Sequence, residues 1–232
     1  MRTFLDIGAH LGETLSVVRA KRWHFDRIVC FEPAPVCWPS IEALADERVT
    51  ICRFGLWKEP ATITLHNPGS IGASIAPDAQ PVTQTIDCRF EDAAAWFAEH
   101  LSDEETVFVK INVEGAEADI IDRLAAADQL RRIAHLLIHF DVRKSPTLAH
   151  REAVLRAQLD AGGTEWINAD AIEFGGVYRG TRNWLLWCES DPRIRNLRYR
   201  SFKRVEHSVR RRLYPLKQAI MSRRPDANKA GL

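Results

Sequence analysis

The sequence predicts an α/β fold: a mostly parallel sheet with helices on both faces. Three observations predict it. The chain opens on a short apolar run, Thr3–Ile7, which meets two glycines four apart, Gly8 and Gly12, and then the helix-compatible stretch Glu13–Val18. Apolar runs of strand length go on alternating with helically spaced segments, the pattern of βα units. The second such run, Arg27–Phe31, ends on Glu32 and so sets an acid at a strand's carboxyl end.

Each later element has its own signal. Pro35 suits a first helical position and predicts a helix over Val36–Ala45. Val49–Phe54, β-branched and partly alternating, reads as a third strand. Ala61–His66 alternates and should pair antiparallel. Glycine, proline and serine between Asn67 and Pro81 read as a loop, a candidate lid or substrate-binding segment. Val82–Asp87 resumes a strand, and helical spacing sets in at Phe90 and runs to His100. Thr106–Val113 is the clearest buried strand, followed by a helix with Ile120, Ile121 and Leu124 on one face. Ile133–Phe140 is another strand, and a helix near Leu148–Leu159 closes on Gly162 and Gly163. Late strands are expected near Thr164–Ile167 and Trp184–Cys188.

The net charge of +1 conceals an asymmetry. The stretch from Arg193 onward carries 13 of the 32 Lys and Arg but only two of the 31 acids, Glu206 and Asp226. The chain therefore divides into an acidic body, residues 1–192, and a basic tail, residues 193–232. In the tail Phe202, Val205, Val209, Leu213, Leu216 and Ile220 fall on one helical stripe, with Arg and Lys around it. Such a helix suits an anionic membrane surface, or equally the acidic body, and a solvated tail is the plain alternative. Nucleic acid is not expected, because the body is acidic and shows no recognition module. Five scattered cysteines without a C-x-x-C pair fit buried thiols in a reducing compartment. Met1-Arg2 runs straight into the first strand, and no apolar run reaches the roughly 18–20 residues of a membrane span. The expected location is cytoplasmic, peripheral at the inner membrane surface if the tail engages lipid.

Strand carboxyl ends carry the ligand in sheets of this kind. That rule aligns Gly8–Gly12, Glu32 and Asn112–Glu114 along one edge. An acid in the position of Glu32 accepts hydrogen bonds from ribose hydroxyls. A dinucleotide fingerprint starting at Gly8 would need glycines at positions 10 and 13, which hold His10 and Glu13. Asp6, just before the first glycine, would also repel a diphosphate. A nicotinamide-dependent oxidoreductase is therefore disfavoured, and the P-loop pattern is missing. S-adenosyl-L-methionine carries a sulfonium and an ammonium and no phosphate, which suits Asp6.

Three stretches, Asp6–Leu15, Phe31–Pro33 and Lys110–Glu117, resemble the FkbM family of S-adenosylmethionine-dependent methyltransferases. Lys110–Glu117, reading K-I-N-V-E-G-A-E, is similar to the family's K-I-D-V-E-G-A-E signature. The resemblance runs from Thr3 to about Cys188. It implies a class I methyltransferase, Rossmann-like fold with a seven-stranded, mostly parallel sheet. It also implies methyl transfer to a hydroxyl of a carbohydrate, glycolipid or secondary metabolite. Carried over, Asp6, Gly8, Ala9, His10 and Gly12 would surround the amino-acid end of the cofactor and Glu32 would hold its ribose. The adenine would lie near Phe54-Gly55-Leu56, with Gly55 at the contact, and Lys110 and Asn112 complete the cofactor set. Asn112 departs from the family's aspartate, keeping an acceptor but losing a charge.

A hydroxyl nucleophile needs a proton acceptor. The candidates are Glu114 at one strand end and His139 or Asp141 at the next. His139 also reads as a packed histidine, and Glu114 as a carboxylate favoured by a helix N-terminus. No His, Cys, Asp or Glu cluster has metal-site spacing, so no metal is expected. Trp38, Trp57 and Trp184 neighbour the expected ligand side and suit either ring stacking or plain packing. The alternative function, motivated by Asn112 and by the lack of a helix before the first strand, is a non-catalytic binding or scaffold protein retaining the methyltransferase fold.

Overall fold

The computed structural model describes residues 1–70, 72–75, 81–172, 176–191, 193 and 195. Contacts divide the chain into a body, Met1–Leu185, and a C-terminal unit, Leu186–Leu232. The amphipathic reading of the tail lies outside the described residues.

The body is built on β1 (Arg2–Ile7), β2 (Arg27–Phe31), β3 (Val49–Cys52), β7 (Thr106–Ile111), β8 (Ile133–Ile138) and β9 (Glu165–Asn168). These six strands form one sheet in the order β3-β2-β1-β7-β8-β9, and each neighbouring pair is parallel. A parallel sheet covered on both faces has no wet side, which is why its strands read as unbroken apolar runs. In β1 Phe4, Leu5 and Ile7 are all buried, as are Val107, Phe108, Val109 and Ile111 of β7. Each fully buried side chain of this size contributes about 1.5–3 kcal/mol.

The helices are α1 (Glu13–Val18), α2 (Trp38–Glu42), α3 (Ala93–His100), α4 (Glu117–Ala126), α5 (Arg151–Ala161) and α6 (Val177–Cys188). A second sheet of three strands comprises β4 (Gly55–Trp57), β5 (Ala61–His66) and β6 (Thr85–Asp92), in the order β4-β6-β5. Strand β5 runs antiparallel to β6, as its alternation predicts.

Two expectations need correction. Trp184–Cys188 is not a strand but the end of α6, so among the described residues the main sheet has six strands rather than seven. A continuous apolar run does not distinguish a buried strand from a buried helix. The spacing of buried Thr181, Trp184 and Leu185 does, and it is helical. Trp184 meets the Phe4 and Phe108 rings edge-on, with centroids 6.1 Å away in each case. Phe90 likewise belongs to β6 and not to the following helix. Asp92 caps that helix, its Oδ1 accepting from the Ala95 amide at 3.0 Å.

The order of the main sheet reverses between β1 and β7, because the chain first winds outward through β2 and β3 and later returns to the other side of β1. A crevice opens at the strand carboxyl ends at such a point.

Candidate functional site

A cavity of about 200 Å³ lies at this reversal. Its floor comes from the strand-end turns, with Gly8, Glu32, Asn112, Glu114 and His139 in its wall. The second sheet supplies Gly55, Leu56, Leu65 and Phe90. Residues of the Asn67–Pro81 connection, Gly69, Ser70, Ala73 and Ile75, also line it.

The first turn is shaped by backbone. The amides of Gly8 and Ala9 both donate to Phe31 O, at 3.1 and 3.0 Å, fixing the end of β1 against the end of β2. Gly8 has φ +82°, and a Cβ there would stand 2.1 Å from Asn112 O, so only glycine fits between the two turns. Glu32 is 6% exposed. Its Oε2 accepts from the His10 amide at 2.8 Å and its Oε1 from the Ala34 amide at 2.9 Å. Burial raises its carboxyl above the usual range, against the pull of those two amides.

The His10 ring ties the same turn to the connection above it. Nδ1 lies 2.9 Å from Glu13 Oε1, and Nε2 lies 3.1 Å from Gly69 O. Burial pushes Glu13 upward, but the hydrogen bond from His10, a backbone hydrogen bond and the nearby His10 and Lys110 charges together leave it lowered.

Lys110 joins the first turn to β7. Its Nζ lies 3.0 Å from Asp6 Oδ1 and donates to Gly8 O at 2.6 Å. Asp6 is fully buried, which raises its carboxyl; Lys110 opposes the rise. Asp6 therefore faces Lys110 and not the cavity. Ala9 and Gly12 do not line the cavity either, whereas Gly8, His10, Glu32, Gly55, Lys110 and Asn112 do. Asn112 Oδ1 is buried with no hydrogen-bond partner among the described residues. An orphaned acceptor in a cavity wall is an opening for a ligand donor.

The far wall is held by ionised side chains. Lys144 Nζ lies 2.5 Å from Glu114 Oε2 and 3.0 Å from Asp141 Oδ1. Burial and the Asp141 charge push the Glu114 carboxyl upward, while Lys144 and His139 oppose. Glu114 and His139 both line the cavity; Asp141, 3% exposed, does not. Among the described residues no group of three or more His, Cys, Asp or Glu is arranged to hold a metal ion.

Sequence reasoning missed two wall residues, Phe90 of β6 and Leu65 of β5. Trp38, Trp57 and Trp184 do not line the cavity. Trp38 instead donates to Glu32 O at 2.9 Å, and Trp57 donates to Asp119 Oδ2 at 2.9 Å.

No protein-family model and no curated protein matches the sequence. Among solved structures, the methyltransferase FkbM from Methylobacillus flagellatus KT overlays with a TM-score of 0.43 at 17% identity. The overlay covers 67% of this chain and 38% of that one, so this chain spans well under half the length of that protein. Among the described residues no helix is long and apolar enough to cross a membrane.

Proposed function

We propose that this protein is an S-adenosylmethionine-dependent methyltransferase acting on a hydroxyl of a carbohydrate, glycolipid or secondary metabolite. The observation that carries the reading is Glu32. It is a buried carboxylate in the cavity wall at the end of β2, held by two backbone amides beside a glycine turn where the sheet order reverses. A carboxylate fixed in that place is suited to the two hydroxyls of a ribose.

The charge of the wall supports this cofactor over a phosphate-bearing one. Glu13, Glu32 and Glu114 line the cavity, while the Lys110 ammonium is already engaged by Asp6 and Gly8 O. A diphosphate would meet carboxylates with no uncommitted lysine or arginine among the described lining residues. A sulfonium and an ammonium would meet acceptors, including the orphaned Asn112 Oδ1. In this reading Glu32 holds the ribose, while Gly55, Leu56 and Phe90 flank the adenine. Gly8 and Asn112 contact the amino-acid end, and Lys110 and Asp6 fix the turn beneath it.

When bound, S-adenosylmethionine supplies a methyl carbon activated by the sulfonium. The protein's share is to align the acceptor, worth on the order of 7–11 kcal/mol when two reactants are well oriented, and to receive its proton. Glu114 is suited to that proton because burial raises its carboxyl, and His139 lines the same cavity. Titration calorimetry with S-adenosylmethionine and S-adenosylhomocysteine tests the reading. Binding at micromolar concentration is expected, and no heat at millimolar ligand would sink it. Transfer of labelled methyl to a panel of glycosides and lipid-linked sugars tests the acceptor.

A further inference from the structure

The Lys110–Glu117 stretch ends on a carboxylate to which the sequence assigns no role. Glu117 opens α4, yet it is fully buried and does not line the cavity. Its Oε2 accepts from the Gly115 amide at 2.7 Å, and its Oε1 accepts from the Val142 amide at 2.5 Å. Gly115 belongs to the turn after β7, which carries Glu114. Val142 belongs to the segment after β8, which carries His139. One side chain thus grips the two strand ends that present the two candidate proton acceptors.

The turn it grips is one that would not hold itself. Glu114 and Gly115 are both left-handed, with φ of +49° and +110°. The conformation costs a non-glycine residue about 1–2 kcal/mol. Other contacts converge on the same residue: Ser74 Oγ donates to Glu114 O at 2.6 Å, and Lys144 holds its carboxylate. A carboxyl suits the grip because both of its oxygens keep a lone pair to accept with, whether or not it is protonated, whereas the nitrogen of an amide has none to offer. The protein keeps that charge-bearing group there although burial, and then Asp141, push it up to about 8.

We propose that Glu117 is a positioning residue that locks the Glu114 turn to the His139 segment, so that both acceptors face one cavity. What the acceptors do rests on the methyltransferase reading; how they are held does not.

The test is a ¹³C-carboxyl NMR titration of Glu114 in the full chain with no ligand added. In the native protein Glu114 titrates above its ordinary 4.5, and His139→Gln raises it further, because His139 is one of the groups that lower it. Glu117→Gln turns an NH₂ toward one of the two backbone donors. The two segments then part, Glu114 moves back toward its ordinary value, and His139→Gln no longer moves it. An unchanged Glu114 midpoint that still responds to His139→Gln overturns the proposal, even if the melting temperature falls, because that is the mark of a plain core residue. Should Glu117→Gln fail to fold, hydrogen exchange on the native protein decides. The Gly115 and Val142 amides should exchange together, at least ~100-fold slower than an unfolded chain. Exchange of either one at the unfolded rate overturns the lock. Calorimetry with S-adenosylhomocysteine keeps the two failures apart, since a native protein that binds none loses the cofactor reading while the Glu114 titration still judges Glu117.

Discussion

Two walls of one cavity are held by different means. The wall at the ends of β1 and β2 is fixed chiefly by backbone: Gly8 and Ala9 amides on Phe31 O, and His10 and Ala34 amides on Glu32. The wall at the ends of β7 and β8 is fixed chiefly by ionisable side chains: Lys144 between Glu114 and Asp141, and Glu117 between Gly115 and Val142. Backbone donors set a shape that tolerates few substitutions. Contacts between ionisable side chains set one that responds more directly to pH. The difference fits the proposed division of the site into a cofactor side and a proton-accepting side.

The residue that joins the walls should give the largest effect when broken. Lys110 reaches from β7 to Asp6 and Gly8 O on the β1 side. Lys110→Met would leave Asp6 buried without its cation, and losing one partner of a buried pair costs about 3–5 kcal/mol. Chemical denaturation should show a loss of that order. Adding Asp6→Asn should recover part of it, and a double variant as weak as the single one would remove the pair from its joining role.

Glu32 comes next. Glu32→Gln keeps the shape but turns an NH₂ toward either the His10 or the Ala34 amide, and it removes the charge from the proposed ribose position. A hydrogen bond to a charged group is worth about 1.5–3 kcal/mol, so affinity for S-adenosylhomocysteine should fall about 10- to 100-fold. Unchanged affinity by calorimetry would reassign the ribose.

Legibility in the sequence follows the same division. Gly8, Glu32 and the strand ends around Asn112 are local signals, because a turn that needs glycine and an acid closing a strand both announce themselves within a few residues. Phe90 and Leu65 were not legible as wall residues, because they reach the cavity only through pairing within a second sheet whose partners lie far apart in sequence. Trp184 misled because a run of apolar residues satisfies a helix and a strand equally until its buried face is known. Glu117 stands in a recognisable stretch, but its partner amide on Val142 is 25 residues away, and no local pattern points to it.

Both walls hold carboxyls raised above their ordinary range, and the resulting pH dependence is led by Glu117. Glu117 has a folded value of about 8 against an ordinary 4.5, so the folded protein holds this proton more tightly than the unfolded chain does. A group raised in this way contributes stability that is full below 4.5 and is lost as pH rises through about 8. Glu114, Glu32 and Asp6 are shifted in the same direction. The urea midpoint should therefore fall from pH 5 to pH 8. Glu117→Gln should flatten the slope while lowering the midpoint at every pH. An equally steep slope in the variant would locate the dependence elsewhere.

The smallest effect is expected where the backbone wall borrows a side chain. The His10 ring reaches Gly69 O with one nitrogen and Glu13 with the other, and so ties the Asn67–Ser70 segment to the first turn. His10→Ala leaves the His10 amide on Glu32 in place and removes only the ring. The ring is part-buried and both of its partners are acceptors, so the loss should be about 1 kcal/mol of local stability, an ordinary net value for one or two such bonds. Amides of Gly69 and Ser70 should exchange faster in His10→Ala, with the β1 and β2 amides unchanged. Affinity for S-adenosylhomocysteine should drop by no more than about fivefold, the equivalent of that 1 kcal/mol. A drop as large as that of Glu32→Gln would make the ring, and not the backbone beneath it, the feature that shapes this wall.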